Sequence, residues 1–242
     1  MALALPDAAA KADAVRTMFD RIAPRYDRLN AVMTLRLDRR WRRATIAAAA
    51  IAPGDRVLDV ACGTGDLVEL ARARGALVTG IDFAAGMLAV AQRRGLRGHV
   101  VRGDALALPL GDAATDAITC AFALRNFVAI EPFFAEAARV LCDGGRLAVL
   151  EVAEPRSALL RAGHRLYFHR AVPLVGRVLS DRSAYAYLPA STAYLPPPAE
   201  LLAMLRAAGF ADVRRHALGL GAAQLIAARR APRDGARPGA RQ

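Results

Sequence analysis

Three aspartates in the first half of the chain each stand at or just beyond the end of a short apolar run. Asp59 lies in the run 56–61 (RVLDVA), directly ahead of Cys62-Gly-Thr-Gly65. Asp82 follows the run 76–81 (ALVTGI), and Asp104 follows 98–102 within Gly103-Asp-Ala105. Gly63 and Gly65 permit a tight turn and a close backbone approach, and a helix opening there offers unpaired N–H groups. A dinucleotide site would place a third glycine at position 68, where this chain has Val68. A carboxylate beside the turn is wrong for a pyrophosphate and right for a cation. S-adenosylmethionine carries an ammonium and a sulfonium, so an acidic first turn suits it. Asp82 is placed for two ribose hydroxyls, and Asp104 for the amino group of an adenine. Each aspartate alone reads as a turn or cap residue. Three at successive strand ends point together to an S-adenosylmethionine site.

These residues need a scaffold that brings strand ends side by side. Strands are expected over 56–61, 76–81, 98–102, 116–123 and 145–152, alternating with helices over 65–74, 84–94 and 130–141. A helix over 198–208 then leads into 210–217 and 222–229, separated by Leu218-Gly-Leu-Gly221, which read as a hairpin. The expected fold is α/β: a Rossmann-like, mostly parallel seven-stranded sheet with a C-terminal antiparallel hairpin. Ahead of it, 1–52 reads as a helical segment. Val15, Met18, Phe19 and Ile22 follow helical spacing, Pro24 stops the first helix, and a second spans about 38–50. The domain proper is placed at 53–230, with an apolar and Arg-rich insertion at about 155–196 as a helical lid and 231–242 as a disordered tail.

The chain has 242 residues, a net charge of +12 and a single lysine, Lys11, among 34 basic residues. Three scattered cysteines, Cys62, Cys120 and Cys142, suggest neither a disulfide framework nor a zinc site. The longest apolar run, 46–52, is too short to span a bilayer, and no secretory signal is visible, so a cytoplasmic protein is expected. The charge suits phosphate, anionic lipid or an acidic partner. Nucleic-acid amino-methyltransferases need an Asn/Asp-Pro-Pro-aromatic loop after the fourth strand. Here that loop is Leu124-Arg-Asn-Phe127, and no basic-aromatic stripe appears, so no nucleic-acid partner is expected.

Taken together, MFDRIAPRYDRLN at 18–30, RRWR at 39–42, VLDVACGTGDL at 57–67, IDFAAGML at 81–88, GDALALPL at 103–110, FALRNF at 122–127, YAYLPAS at 185–191 and LLAMLRAAGF at 201–210 closely resemble the ubiquinone/menaquinone biosynthesis C-methyltransferases, the UbiE type. The resemblance covers about 14–230. It implies methyl transfer from S-adenosylmethionine to a ring carbon of a polyprenylated quinol, with another small-molecule acceptor as the alternative. It adds Thr64, Phe83, Ala105 and Ala121 to the cofactor contacts. Ala121 stands where relatives often have Ser, so only backbone contact remains there, and Asp38 stands where many have His.

A sulfonium methyl is already activated, so no metal is expected. A ring carbon becomes a good nucleophile when a neighbouring hydroxyl is ionised, so the protein must align the reactants and favour the phenolate. Arg125, after the fourth strand, is placed to stabilise that oxygen, and relatives are thought to use the matching arginine. Asn126 is expected to orient the quinol or the arginine, and Tyr26 to close the pocket. The isoprenoid tail lives in a membrane. The insertion and the cluster Arg36, Arg39, Arg40, Arg42 and Arg43 therefore suggest peripheral contact with anionic lipid at the inner face. A homodimer is compatible with this reading.

Overall fold

A computed structural model describes residues 8–155, 157 and 191–233. Most of the insertion expected at 155–196, and of the tail expected at 231–242, lies outside these residues. The chain begins with α1 (Ala8–Ile22), which ends where Pro24 enters a 3₁₀ turn at Ala23–Arg25. Next come α2 (Tyr26–Met33) and α3 (Leu37–Ala48). The alternating part follows as β1 (Arg56–Val60), α4 (Asp66–Arg72), β2 (Leu77–Asp82), α5 (Ala85–Ala91), β3 (Val100–Arg102), β4 (Thr115–Ala121), α6 (Glu131–Val140) and β5 (Leu141–Val152). The chain closes with α7 (Pro198–Ala207), β6 (Phe210–Leu218) and β7 (Ala223–Arg230).

Two elements differ from the expected pattern. Helix α2 has eight residues and buries only Leu29, so it carries no stretch of apolar periodicity long enough to read. The helix expected over 84–94 ends as an α-helix at Ala91 and widens into a π turn at Gln92–Leu96, where Gly95 has a φ of 91°.

All seven strands form one sheet in the order β3-β2-β1-β4-β5-β7-β6. Strands β1 to β5 pair in parallel, and β7 runs antiparallel to both β5 and β6. Side chains alternate across the sheet. Leu58, Ile118, Leu147 and Val149 pack with Phe133, Phe134, Leu201 and Leu205 of α6 and α7. Val57, Val78, Ala117, Ala148 and Leu225 face Ile46, Leu67, Val68, Leu88 and Ala91 of α3, α4 and α5. Asp59 and Thr119 are two residues beyond Val57 and Ala117, so they share this second face and are buried under it.

Order β2-β1-β4 places the topological switch point between β1 and β4, where ligands bind in open α/β sheets. Two non-glycine residues there have left-handed backbone: Ala61 (φ 54°) after β1 and Phe122 (φ 59°) after β4. Each such conformation costs on the order of 1–3 kcal/mol and is typically held at functional sites.

The turn after β1 is pressed onto β2. A Cβ on Gly80 would lie 2.8 Å from Cys62 Sγ and 2.8 Å from Val68 Cγ2. Gly80→Ala is therefore expected to lower the unfolding free energy by about 1–3 kcal/mol through overpacking. Cys62→Ala in the same chain should recover part of that loss, and a urea-denaturation double-mutant cycle measures the coupling. Strictly additive losses would place the strain elsewhere.

Candidate active site

Over the switch point lies a cavity with about 900 Å³ of empty space, open to solvent. Its floor comes from the strand ends: Ala61 and Gly63 after β1, Asp82 and Phe83 after β2, Gly103 to Leu106 after β3, and Ala121 to Ala123 after β4. Its roof is helical, with Ala12, Val15, Arg16 and Phe19 of α1 and Tyr26 at the start of α2. Asn126, Phe127 and Val128 complete one side. A smaller, more polar lobe is lined by Arg42, Asp59, Cys62, Thr64, Asp66 and Leu67. Tyr26, Ala61, Gly63 and Ala121 belong to both lobes, so the two form one site with Tyr26 between them.

The acidic residues are held by backbone geometry. The Asp82 carboxylate accepts the Gly63 N–H at 2.7 Å and the Ala84 N–H at 2.8 Å, which ties the glycine turn of β1 to the end of β2. Burial raises its pKa, and these N–H donors oppose the shift. Asp104 accepts the Leu106 N–H at 2.9 Å, an Asx turn that fixes the loop after β3 at the cavity edge. Asp59 accepts the Thr119 hydroxyl at 2.7 Å. Burial pushes its carboxyl up to about 7, against the pull of that hydrogen bond and of Arg42. Gly65, with φ 92°, opens α4, and a Cβ there would meet Leu96 Cδ1 at 2.2 Å. Val68, where a dinucleotide fold would have glycine, is fully buried beneath the turn.

The helices are clamped onto this floor by polar tethers across long sequence separations. Thr64 donates to Asp27 at 2.6 Å. Arg94 reaches Asp66 at 2.8 Å, Glu69 at 2.8 Å and Asp27 at 3.3 Å. The Gly86 N–H donates to Asp20 at 2.7 Å, and a Cβ on Gly86 would clash with the α1 backbone. Lys11 Nζ donates to the Phe127 carbonyl at 2.6 Å and lies 4.0 Å from the centroid of the Tyr194 ring. Trp41 packs on Phe122, Leu150 and Ala223, an anchor between α3 and the sheet.

Every residue expected at the cofactor site except Gly65 lines one of the two lobes; Gly65 acts behind them as a backbone turn. Tyr26 and Asn126 also lie on the wall. Burial raises the Tyr26 phenol above its ordinary value, while Arg42 and a hydrogen bond with Asn30 lower it, so the hydroxyl keeps its proton near neutrality. Arg125 lies behind the wall. Its guanidinium pairs with the fully buried Glu151 at the end of β5, donates to the Phe122 carbonyl at 2.9 Å and to Ser191 Oγ at 3.2 Å.

Sequence reasoning assigned no role to Glu151 and treated Arg42 only as one of a surface basic cluster. Arg42 is in fact buried, paired with Asp38 and 3.3 Å from Asp66. Asp38 thus supplies a partner for this arginine. The clue was the i, i+4 spacing of Asp38 and Arg42, but helical spacing alone cannot tell a buried pair from a solvated one.

The profile of the ubiE/COQ5 methyltransferase family matches residues 7–230. The chain is 49% identical over 226 residues to the demethylmenaquinone methyltransferase of Roseiflexus castenholzii, covering 91% of this chain and 95% of that protein. It is 46% identical to the protein of the same name from Thermus thermophilus, covering 86% and 97%. Among solved structures, a S-adenosylmethionine-dependent methyltransferase of Thermotoga maritima, titled a possible histamine N-methyltransferase, superposes with a TM-score of 0.63 at 20% identity over 89% of this chain and 99% of that one. The phosphoethanolamine N-methyltransferase 2 of Haemonchus contortus superposes at 0.54 with 16% identity, over 77% and 52%. These structural likenesses establish the fold.

Two expectations follow. A folded-state pKa near 7 at Asp59 exceeds the value near 4 of an unfolded aspartate. The stability it contributes is full below about pH 4 and is lost as pH rises through 7. Asp59→Asn should gain on the wild type between those limits by on the order of 4 kcal/mol in urea denaturation. An offset between the two proteins that is equal at pH 5 and pH 8 would rule out the shift. Second, Glu151→Ala leaves Arg125 buried without its counter-charge, which costs about 3–5 kcal/mol. The pair Arg125→Met with Glu151→Leu should restore most of that. A loss below about 1 kcal/mol in Glu151→Ala would mean that the pair bears little on the fold.

Proposed function

Because the chain belongs to the ubiE/COQ5 methyltransferase family, we propose that it transfers a methyl group from S-adenosylmethionine to a ring carbon of demethylmenaquinol. The chain is an S-adenosylmethionine-dependent methyltransferase, and its relatives carry the name demethylmenaquinone methyltransferase. The observation that carries the reading is the two-lobed site at the switch point, polar and charged in its small lobe and apolar in its large one. That division matches a zwitterionic amino-acid end in the small lobe and, in the large one, the adenosine with an aromatic acceptor beside it.

The donor fits the residues present. Asp59 and Arg42 offer opposite charges in the small lobe, suited to the ammonium and the carboxylate of the amino-acid end. The backbone of Gly63 and Thr64 borders the same lobe. Asp82 retains lone pairs for the ribose hydroxyls. Asp104 and Ala105 suit the adenine edge, Phe83 its face, and Ala121 offers backbone only. Bound there, S-adenosylmethionine supplies an electrophilic methyl on sulfur.

The chain's own residues then orient the acceptor and stabilise the charge that develops on it. Tyr26, protonated between the two lobes, can donate a hydrogen bond to a quinol oxygen as that hydroxyl gives its proton to solvent water, which also takes the ring-carbon proton after methyl transfer. Asn126, also on the cavity wall, orients the ring. Arg125, neutralised by Glu151, acts as a positioning residue that holds the turn carrying Asn126. Ala12, Val15 and Phe19 of α1 give the large lobe an apolar roof. A lipid-borne acceptor calls for peripheral contact with an anionic bilayer rather than with nucleic acid, and among the described residues no helix is long and apolar enough to cross a membrane. A homodimer remains part of the proposal.

Purified protein with S-adenosylmethionine and chemically reduced demethylmenaquinone should give a product heavier by one CH₂ in mass spectrometry, methylated on the ring carbon by NMR. Tyr26→Phe and Asn126→Ala should lower kcat by about 10- to 100-fold with little change in cofactor affinity. Methylation of simple phenols but not of the quinol would overturn the assigned acceptor while leaving the cofactor site intact.

A further inference from the structure

The turn between α2 and α3 presents an arrangement that the catalytic site does not use. Leu35 is 70% exposed, the largest exposure among the large apolar residues of the helical roof, and Leu37 beside it is also exposed. Leu35 and Arg36 both have left-handed backbone, with φ of 51° and 62°, so the chain reverses there in a conformation that L residues avoid.

From that tip, α3 runs with two unlike faces. Asp38, Trp41, Arg42, Thr45 and Ile46 are buried against the sheet and α4. Arg36, Arg39, Arg40 and Arg43 follow the spacing i, i+3, i+4, i+7 and form one outward stripe. All four are exposed, and none has an ion-pair partner among the described residues. Arg42, on the buried face of the same helix, is paired with Asp38 and Asp66. Viewed from outside, the helix offers four guanidinium groups flanked at its N-terminal end by two exposed leucines. An apolar tip beside a basic stripe is complementary to one kind of surface: anionic headgroups with acyl chains just beneath them.

We propose that the α2–α3 turn and the outer face of α3 dock the enzyme on an anionic lipid bilayer, with Leu35 entering the acyl boundary and Arg36, Arg39, Arg40 and Arg43 meeting the headgroups. The proposal rests on the quinol reading in one respect, that such an acceptor is drawn from a bilayer. Helix α2 begins at Tyr26 on the cavity wall, and α3 carries Arg42 into the small lobe, so the docked elements are those that close the site.

The test uses the full chain and vesicles of phosphatidylcholine with or without phosphatidylglycerol. The wild type should float with the anionic vesicles at low salt and detach at high salt. Arg39→Gln, Arg40→Gln and Arg43→Gln together should weaken partitioning by about two orders of magnitude. Leu35→Glu should weaken it by about tenfold or more. Leu35→Trp should show a blue-shifted emission and quenching by brominated lipid, against the constant background of buried Trp41. Each variant should methylate a water-soluble, short-chain demethylated quinol at the wild-type rate, which also establishes that it is folded. Undiminished flotation of the variants would overturn this surface and leave membrane contact standing. Absence of wild-type flotation, equal binding to neutral vesicles, or tighter binding to duplex DNA would overturn the proposal itself. Failure to methylate the short-chain quinol would instead count against the quinol reading, whatever the vesicles show.

Discussion

The Asp82 carboxylate bridges the ends of two neighbouring strands, and the rest of the site is built on that bridge. It accepts the Gly63 N–H across the gap from β2 to the turn after β1, while the Cys62 N–H donates to the Ile81 carbonyl beside it at 3.0 Å. The turn can lie that close only because Gly80 leaves room for Cys62 and Val68. With the turn pinned, α4 leaves in one direction, Thr64 reaches Asp27, and the start of α2 is brought over the cavity. A single hydrogen bond contributes only about 1 kcal/mol net. This one matters because it sets the relative position of two strand ends that form the cavity floor.

The N-terminal helices behave as part of the site rather than as an appendage to it. Asp20 holds the first turn of α5, Lys11 holds the loop after β4, and Asp27 joins the network of Arg94, Asp66 and Glu69. Each tether links polar groups far apart in the sequence. Such contacts become available only once the sheet has formed and bring loop-closure entropy with them. The lone lysine of an otherwise arginine-based protein is buried at one of these tethers, where an ammonium sits over an aromatic ring and donates to a carbonyl.

Charge is sorted by position. Carboxylates face the cavity from Asp59, Asp82 and Asp104, while the outward stripe of α3 is wholly arginine. The excess of +12 therefore does not serve a cationic donor. It lies, in part, on the outward face of α3, the face proposed to meet an anionic bilayer.

Most of the sheet and of the cavity floor were legible in the sequence, because both rest on local patterns. Short apolar runs separated by helical stretches specify strands and their succession along the chain, and the glycines at 63 and 65 specify a turn because left-handed backbone favours that residue. The aspartates at 59, 82 and 104 could be placed at strand ends for the same reason. Helix α2 was not legible, being too short to show a period. Neither was the burial of Arg42 or the pairing of Arg125 with Glu151, since a sequence marks charges without saying which will be taken out of water. That was decided by the sheet: parallel register brings the ends of β4 and β5 side by side, so residues 26 apart in the chain share one dry pocket. The sequence determined which groups were available for chemistry, and the tertiary structure decided which of them face the cavity and which are spent holding its walls.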